Sequence, residues 1–114
     1  TMSYSDLLKD ITACNELLVS LTGESVVLYR APSGSYNNDT VSAAKSLGMT
    51  AIQWDVDSVD WKDKTPEEIT ERICNGVTNG SITLFHVGKD NTVKALPEII
   101  KSLQKEGFYP EKLQ

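Results

Sequence analysis

The stretch TAIQWDVDSVDW, residues 50–61, decides the fold because a β-rich run passes directly into a loop of acids and an indole. The β-rich residues 26–29 and 82–85 likewise pass into Arg30 and His86. In a parallel α/β sheet all strands end at one edge, so side chains that follow successive strands converge there. We therefore expect the guanidinium, the carboxylates, the indole and the imidazole to share one enzyme-like crevice.

Helical patterns separate the β-rich runs. Ser3 predicts the start of a first helix and Gly23 its end. The buried stripe of this helix recurs every three or four positions and comprises Leu7, Ile11, Cys14, Leu18 and Leu21. Asn38 is expected to cap a second helix over residues 39–47, with Val41, Ala44 and Leu47 facing inward.

The clearest helix start is Thr65, Pro66 and Glu68, which give an N-cap, a first-turn proline and a capping acid in order. This third helix should bury Ile69, Ile73 and Val77 and lead into a strand over residues 81–85. Thr92 is expected to cap a last helix that contains Pro97, ends at Gly107 and buries Leu96, Ile99, Ile100 and Leu103.

The predicted order is αβαβαβα, an α/β fold with parallel strands and right-handed crossovers. Three strands leave both sheet edges unpaired, whereas a complete β/α barrel has eight strands and typically ~250 residues. The chain is therefore expected to be a partial, incomplete barrel. Upstream sequence, a partner chain or a self-associating copy would complete it.

Composition excludes several classes of protein. The chain has 114 residues, which fits one domain with one modest core, and its net charge of −5 disfavours binding to nucleic-acid phosphates. No apolar run reaches the ~20 residues that span a bilayer, and no signal-peptide pattern is recognised, so the compartment is not assigned. Cys14 and Cys74 lack metal-binding or redox spacing, and Cys14 is expected to be buried. The segment of residues 33–40, with Gly34 as its one glycine, does not match nucleotide-binding loops.

The only histidine, His86, follows a predicted strand, and imidazole is the side chain that exchanges protons near neutral pH. A carboxylate from residues 55–61 that contacts one ring nitrogen would fix the tautomer and favour the imidazolium, making a competent general acid. The alternative is a hydrogen-bonded rim histidine above a solvated acidic loop. That solvated-loop account is expected to hold for Asp55 or Asp63.

Arg30 directly follows a hydrophobic run, so its guanidinium should meet a carboxylate or an anionic ligand. A purely structural ion pair with Asp57 or Asp60 is the alternative. Trp61 could form a flat wall for a sugar ring or the lid of a small core. Trp54, at a strand end, is expected in the core.

Three motifs occur in a fixed order: RAPSG at residues 30–34, DSVDW at 57–61 and LFH at 84–86. The third is followed by a helix that contains TVKALPEIIKSLQKEGF. Together they resemble the third, fourth and fifth motifs of the NodB-homology polysaccharide deacetylases, carbohydrate esterase family 4. The resemblance implies that residues 1–114 are the carboxyl-terminal portion of such a domain, a distorted β/α barrel.

This resemblance implies metal-dependent hydrolysis of the acetamide of an N-acetylated sugar, as in peptidoglycan or chitin-like polymers. The parent protein would be exported or associated with the cell wall. By motif, His86 resembles the general acid that protonates the departing amine, and Asp60 resembles the carboxylate that tunes it. Arg30 resembles the arginine that orients the catalytic aspartate of the family.

The substrate-binding residues implied by the resemblance are Trp61 and Leu84, which would line the acetyl pocket, together with the turn of Pro32, Ser33 and Gly34. The backbone amide of Ser33 would help to hold the tetrahedral oxyanion. An aromatic residue is common at this position in the family, so Ser33 puts the shape of the pocket in question more than the chemistry.

Two family motifs are absent: the first, which carries the base and one metal ligand, and the second, which carries paired histidines. A divalent, zinc-like metal is implied for the parent enzyme, but with a single histidine the chain supplies none of its ligands. We therefore expect this polypeptide to be inactive without a missing amino-terminal half or a self-associating copy.

Two other functions are compatible with the sequence. One is a shortened, non-catalytic carbohydrate-binding protein or pseudoenzyme that keeps the sugar pocket. The other is a small α/β interaction domain in which the loop residues are structural.

Overall fold

The computed structural model describes residues 2–113. Its helices and strands, in chain order, are α1 (Tyr4–Thr22), β1 (Leu28–Tyr29), α2 (Asn38–Ser46), β2 (Thr50–Ala51), β3 (Val56–Asp57), α3 (Pro66–Gly76), β4 (Thr83–Leu84) and α4 (Asp90–Lys105). Short 3₁₀ turns, Pro32–Gly34 and Asp60–Lys62, follow β1 and β3. The chain divides between Gln53 and Trp54 into a first and a second compact unit.

The strands pair in parallel within each unit. In the first unit β1 pairs with β2, with Leu28 opposite Thr50. In the second unit β3 pairs with β4, with Val56 opposite Thr83. This alternation of helices and parallel strands confirms the predicted α/β class.

The extent of the strands was predicted wrongly. Pairing covers two residues in each strand, fewer than the β-rich run at residues 26–29 and the predicted strand over residues 81–85. Val56–Asp57 was expected in a polar loop but forms β3, because the backbone of this segment bonds to that of β4. Pairing with a neighbouring strand, which side-chain composition does not specify, decides where a strand begins and ends.

Local capping chemistry fixes the starts of α1 and α3. The Ser3 hydroxyl accepts the backbone amide of Asp6 at the start of α1, as predicted. At α3, Thr65 and Glu68 form a reciprocal capping box ahead of a proline in the first turn. Gly23 ends α1 with a φ of 72°, a left-handed conformation that glycine adopts without steric cost.

The caps of α2 and α4 differ from the prediction. Asn37, not Asn38, caps α2, because its side chain accepts the Thr40 amide at 3.0 Å. The N-cap of α4 is Lys89, so Thr92 lies inside the first turn of the helix. The prediction that Thr92 caps α4 is therefore wrong, and its hydroxyl serves a different partner described below.

The core of the first unit is small. It consists of buried Ile11, Ala43, Ala44 and Met49. Cys14, Leu18, Leu21 and Val41 are exposed within the described chain, so their predicted burial is wrong. At 1.5 Å per residue α1 is about 28 Å long and α2 about 14 Å. Contacts from α2 and its neighbours therefore cover only the first part of the α1 stripe, around Leu7, Leu8 and Ile11.

A second core cluster holds the other unit together, so the single core expected from chain length is two clusters. Its buried members are Val56, Ile69, Ile73, Ala95, Ile99 and Leu103. Fully burying each of the valine, isoleucine and leucine side chains contributes roughly 1.5–3 kcal/mol. Ile100, predicted to be buried, is 41% exposed. The cluster locks β3, α3 and α4 together, and these elements carry or border the acidic loop.

Candidate active site

The loop that follows β3 has a strained backbone. Val59 adopts φ 55° and ψ 29°, a left-handed conformation that β-branched residues rarely occupy. Two contacts hold it: Asp57 Oδ1 accepts the Val59 amide at 2.8 Å, and Arg72 Nε donates to the Asp57 carbonyl oxygen at 2.7 Å. Such strain persists only where the surroundings fix the backbone, and here it lies directly before the buried acid Asp60.

The Asp60 carboxylate is fully buried and accepts three hydrogen bonds. Oδ2 accepts the His86 backbone amide at 2.9 Å and the Thr92 hydroxyl at 2.5 Å, while Oδ1 lies 2.8 Å from His86 Nδ1. Burial raises the pKa of Asp60, but the hydrogen bonds from the His86 amide, Thr92 and the imidazole together bring that pKa below its usual value. Asp60 is therefore a carboxylate at neutral pH.

His86 is held at one ring nitrogen and partly open to solvent, with 42% of its side chain exposed. Because an ionised carboxylate can only accept, the Nδ1 atom that faces Asp60 carries a proton. That arrangement leaves Nε2 as the ring nitrogen available to another group. Both the main chain and the ring of His86 bind the same carboxylate, which fixes the orientation of the imidazole.

Trp61 directly follows Asp60, and Leu84 lies two residues before His86. Trp61 is 50% exposed, an exposure that disfavours the interpretation of its ring as the lid of a core. The Lys62 ammonium lies 4.8 Å from the centroid of the Trp61 ring, a cation–π contact. Leu84 is half-buried in β4, where it pairs with Asp57.

Two other acids of the loop have different surroundings. The Asp55 carboxylate accepts hydrogen bonds from the Ile82 backbone amide and the Ser81 hydroxyl. Both bonds lower the pKa of Asp55, and the bond from the Ile82 amide has the larger effect. Asp55 therefore holds the start of β4, so of the two acids named for a solvated loop it is not the one without a partner. Asp63 is exposed, in keeping with that prediction.

The remaining predicted site residues belong to the first unit. Arg30 is exposed and directly follows β1. Pro32, Ser33 and Gly34 form a 3₁₀ turn in which Ser33 has a φ of 57° and the Gly34 amide donates to the Ala31 carbonyl oxygen at 2.9 Å. The convergence of Arg30 with Asp60, Trp61 and His86 stays a prediction. Trp54, expected in the core, is half-buried.

Sequence reasoning did not identify Thr92 and Arg72 as parts of the site. A signal existed for Thr92, since it continues the inward stripe of α4 formed by Ala95, Ile99 and Leu103 and is itself buried. A polar residue on a core-facing stripe needs a hydrogen-bond partner. No such signal existed for Arg72, which binds a backbone oxygen and lies on an exposed part of α3.

Two properties of the described chain bear on cofactors and membranes. Within residues 2–113, no group of three or more His, Cys, Asp or Glu side chains is placed to hold a metal ion. The residues described therefore do not fit the metal site that the family resemblance implies. None of the helices over the same range is long and apolar enough to cross a membrane.

Comparison with known proteins identifies the family. The family model for polysaccharide deacetylase matches residues 1–52. The peptidoglycan-N-acetylmuramic acid deacetylase PdaC of Bacillus subtilis is 32% identical over 107 residues, which cover 94% of this chain and 22% of that protein. The chain belongs to the polysaccharide deacetylases of carbohydrate esterase family 4.

Solved structures of this esterase family have the same fold. A family 4 carbohydrate esterase from Streptomyces lividans, in complex with acetate, superposes with a TM-score of 0.87 at 26% identity, over 99% of this chain and 58% of that chain. A family pseudoenzyme from Bacillus anthracis superposes with a TM-score of 0.88 at 28% identity, over 96% of this chain and 38% of that chain. These matches confirm the fold as part of the family's β/α barrel.

The chain spans only part of its relatives. The matched regions cover 17%, 22% and 25% of three curated relatives, from Cellvibrio japonicus, Bacillus subtilis and Listeria monocytogenes. The activity of a whole family protein is therefore a proposal for this polypeptide.

Proposed function

We propose that the chain is the carboxyl-terminal part of a metal-dependent polysaccharide deacetylase that hydrolyses the acetamide of N-acetylated sugars. The observation that carries the proposal is the Asp60–His86 pair, in which a buried carboxylate binds Nδ1 and leaves Nε2 available. An imidazole held at one nitrogen and open at the other has the arrangement of a general acid. Peptidoglycan or chitin-like glycans are the proposed substrates, because relatives are named as deacetylases of both kinds.

The proposed role of His86 is to protonate the departing amine. The carbon–nitrogen bond of the acetamide breaks as the amine nitrogen takes the Nε2 proton of an imidazolium, and the Nδ1 proton stays hydrogen-bonded to Asp60. Asp60 stabilises the His86 imidazolium before this proton transfer and keeps the ring from rotating. Trp61 and Leu84 would line the pocket that holds the acetyl group.

The first unit would contribute binding and orientation. Arg30 is proposed to orient the catalytic aspartate of the family, and the Ser33 amide to donate to the oxyanion. Pro32 and Gly34 flank this donor in the substrate-binding turn. A metal would activate water and polarise the acetyl oxygen in the parent enzyme.

The polypeptide alone is proposed to be inactive. General acid catalysis is worth typically 10²- to 10⁴-fold, whereas the metal generates the nucleophile, and the described residues do not fit that metal. The partner proposed to supply them is the remainder of a family domain or a self-associating copy. Turnover by the isolated 114-residue chain in the presence of divalent metal would refute this inactivity.

A chimera tests the function directly. The chain would replace the matching 58% of the Streptomyces lividans esterase, and acetate release from N-acetylglucosamine oligomers would be measured. We expect activity that His86→Gln reduces by at least about 10²-fold. Gln104→Ala, an exposed position on α4, serves as the matched control and should leave the activity unchanged. A folded chimera without metal-dependent acetate release would contradict the proposal.

A non-catalytic carbohydrate-binding protein is the second candidate. One observation favours it: the superposed Bacillus anthracis protein is itself described as a pseudoenzyme. Saturable binding of an N-acetylglucosamine oligomer by the free chain, together with an inactive chimera, would support this alternative.

A further inference from the structure

We propose that Thr92 is a positioning residue that holds the Asp60 carboxylate, and through it the tautomer of His86. This inference deepens the proposed function and rests on it for its catalytic meaning. All three residues lie within the second unit, and the hydrogen bonds between them are present in the structure. The geometry therefore does not depend on whether the chain takes part in catalysis.

The contact is short, buried and charge-assisted. The Thr92 hydroxyl lies 2.5 Å from Asp60 Oδ2, the residue is 4% exposed, and the Asp60 side chain is fully buried. Hydrogen bonds to ionised groups are roughly twice as strong as those between neutral groups. A threonine in the first turn of a helix commonly turns its hydroxyl back to the helix or out to water. Here it bonds instead across 32 residues of sequence.

The two donors on Oδ2 define the rotation of the carboxylate. The His86 amide alone would fix one direction, and the Thr92 hydroxyl fixes a second. With Oδ2 held twice, Oδ1 is directed at His86 Nδ1 at 2.8 Å. A free imidazole has no partner that enforces a proton on Nδ1, so the tautomer depends on this alignment.

The role makes α4 part of the site. The stripe of Ala95, Ile99 and Leu103 packs the helix into the second core, and Thr92 extends that stripe to the acid. The position of the first turn of α4 therefore affects the orientation of the His86 ring, through the Thr92 hydroxyl and the Asp60 carboxylate.

Nitrogen NMR of the labelled imidazole tests the role, because the chain has one histidine and the ring signals need no further assignment. In buffer alkaline enough to keep the ring neutral, the wild-type chain should show a protonated Nδ1 and an unprotonated Nε2. Thr92→Val, which removes the hydroxyl but keeps the shape, should shift both ring nitrogens toward the opposite tautomer. Thr92→Ser should restore the wild-type shifts.

Thr70→Val is the matched control, because the Thr70 hydroxyl donates only to the Pro66 carbonyl oxygen on α3 among the contacts described. It should leave the imidazole signals unchanged. A folded Thr92→Val chain with wild-type ring shifts would overturn the proposal. If that variant does not fold, the wild-type chain decides: a Thr92 hydroxyl proton that exchanges too fast to be observed would also overturn it.

These outcomes separate the two proposals. A tautomer shift in Thr92→Val together with an inactive chimera would leave Thr92 in its role and reject the deacetylase function. In an active chimera, Thr92→Val should lower kcat by about tenfold or more with KM little changed, and Thr92→Ser should recover most of the loss.

Discussion

Replacing Asp60 by Asn should change both the stability of the second unit and the tautomer of His86. Asparagine has the shape of aspartate, but one oxygen becomes an NH₂ donor. Oδ2 accepts two donors, so the amide oxygen must take that place and the NH₂ group must face His86 Nδ1. Nδ1 then has to accept, and the proton moves to Nε2.

The magnitude follows from the three contacts. Two bonds change from charged to neutral acceptors, a loss of about 1 kcal/mol each. The neutral amide is easier to bury than a carboxylate, which offsets part of this loss. We expect Asp60→Asn to lower the free energy of unfolding by about 1–2 kcal/mol. Asp60→Ala should cost about 3–5 kcal/mol, because it leaves the buried Thr92 hydroxyl and the His86 amide without an acceptor.

Urea unfolding at neutral pH, followed by far-ultraviolet circular dichroism, measures the first effect. Nitrogen NMR of the single imidazole measures the second. The reasoning is refuted if folded Asp60→Asn keeps the proton on Nδ1. Equal stability of the Asn and Ala variants would also contradict it, since only alanine removes the acceptor of the buried donors.

Two further predictions concern the loop and the pH dependence of stability. Val59→Gly should change the free energy of unfolding by less than about 1 kcal/mol, because relief of left-handed strain offsets the lost side chain. Val77→Gly, a half-buried valine with φ −75°, should cost more than about 2 kcal/mol, and equal losses in urea unfolding would argue against strain. Acid should destabilise the chain, because the pKa values of Asp55, Asp60 and Glu68 are lowered in the folded state. Their contribution is complete above about pH 5, where the unfolded carboxyls are also ionised, and is lost as the pH falls through the lowered values. An unchanged urea midpoint between pH 7 and pH 3 would contradict this expectation, and Asp60→Asn should weaken the effect.

Helix α3 was predicted well because its start depends on neighbours in sequence. Thr65, Pro66 and Glu68 bond within one turn, and the Ile69–Ile73 stripe follows the helical period. Sequence patterns contain all the information that such local features need. The same holds for Ser3 and Gly23 at the two ends of α1.

The wrong predictions involve partners far away in the sequence. Thr92 resembles a helix cap in the sequence, but its hydroxyl bonds to Asp60, and no local pattern specifies that choice. β3 exists because its backbone pairs with β4, although its residues are partly polar. Cys14 lies on an apolar stripe, but it is exposed and is not a member of the buried cluster that α1 forms around Ile11.

The candidate site was predicted in part for the same reason. The order of β-rich runs and loops indicated that Asp60 and His86 follow paired strands. In the structure Asp60 Oδ1 lies 2.8 Å from His86 Nδ1. The left-handed Val59 and the Arg72 bond to the backbone of Asp57 are three-dimensional features without a residue-type signature. The catalytic roles themselves await the chimera.

The hydrogen bonds on Asp60 join parts of the chain that are 26 and 32 residues apart. None of these bonds can form until β3, β4 and the start of α4 have docked, so loop-closure entropy is paid before any of them stabilises the unit. We therefore expect the amide of His86 to exchange with deuterium only through the same global opening that exposes the amide of Ile73. In that respect His86 and the hydrophobic cluster form a single cooperative element of the second unit.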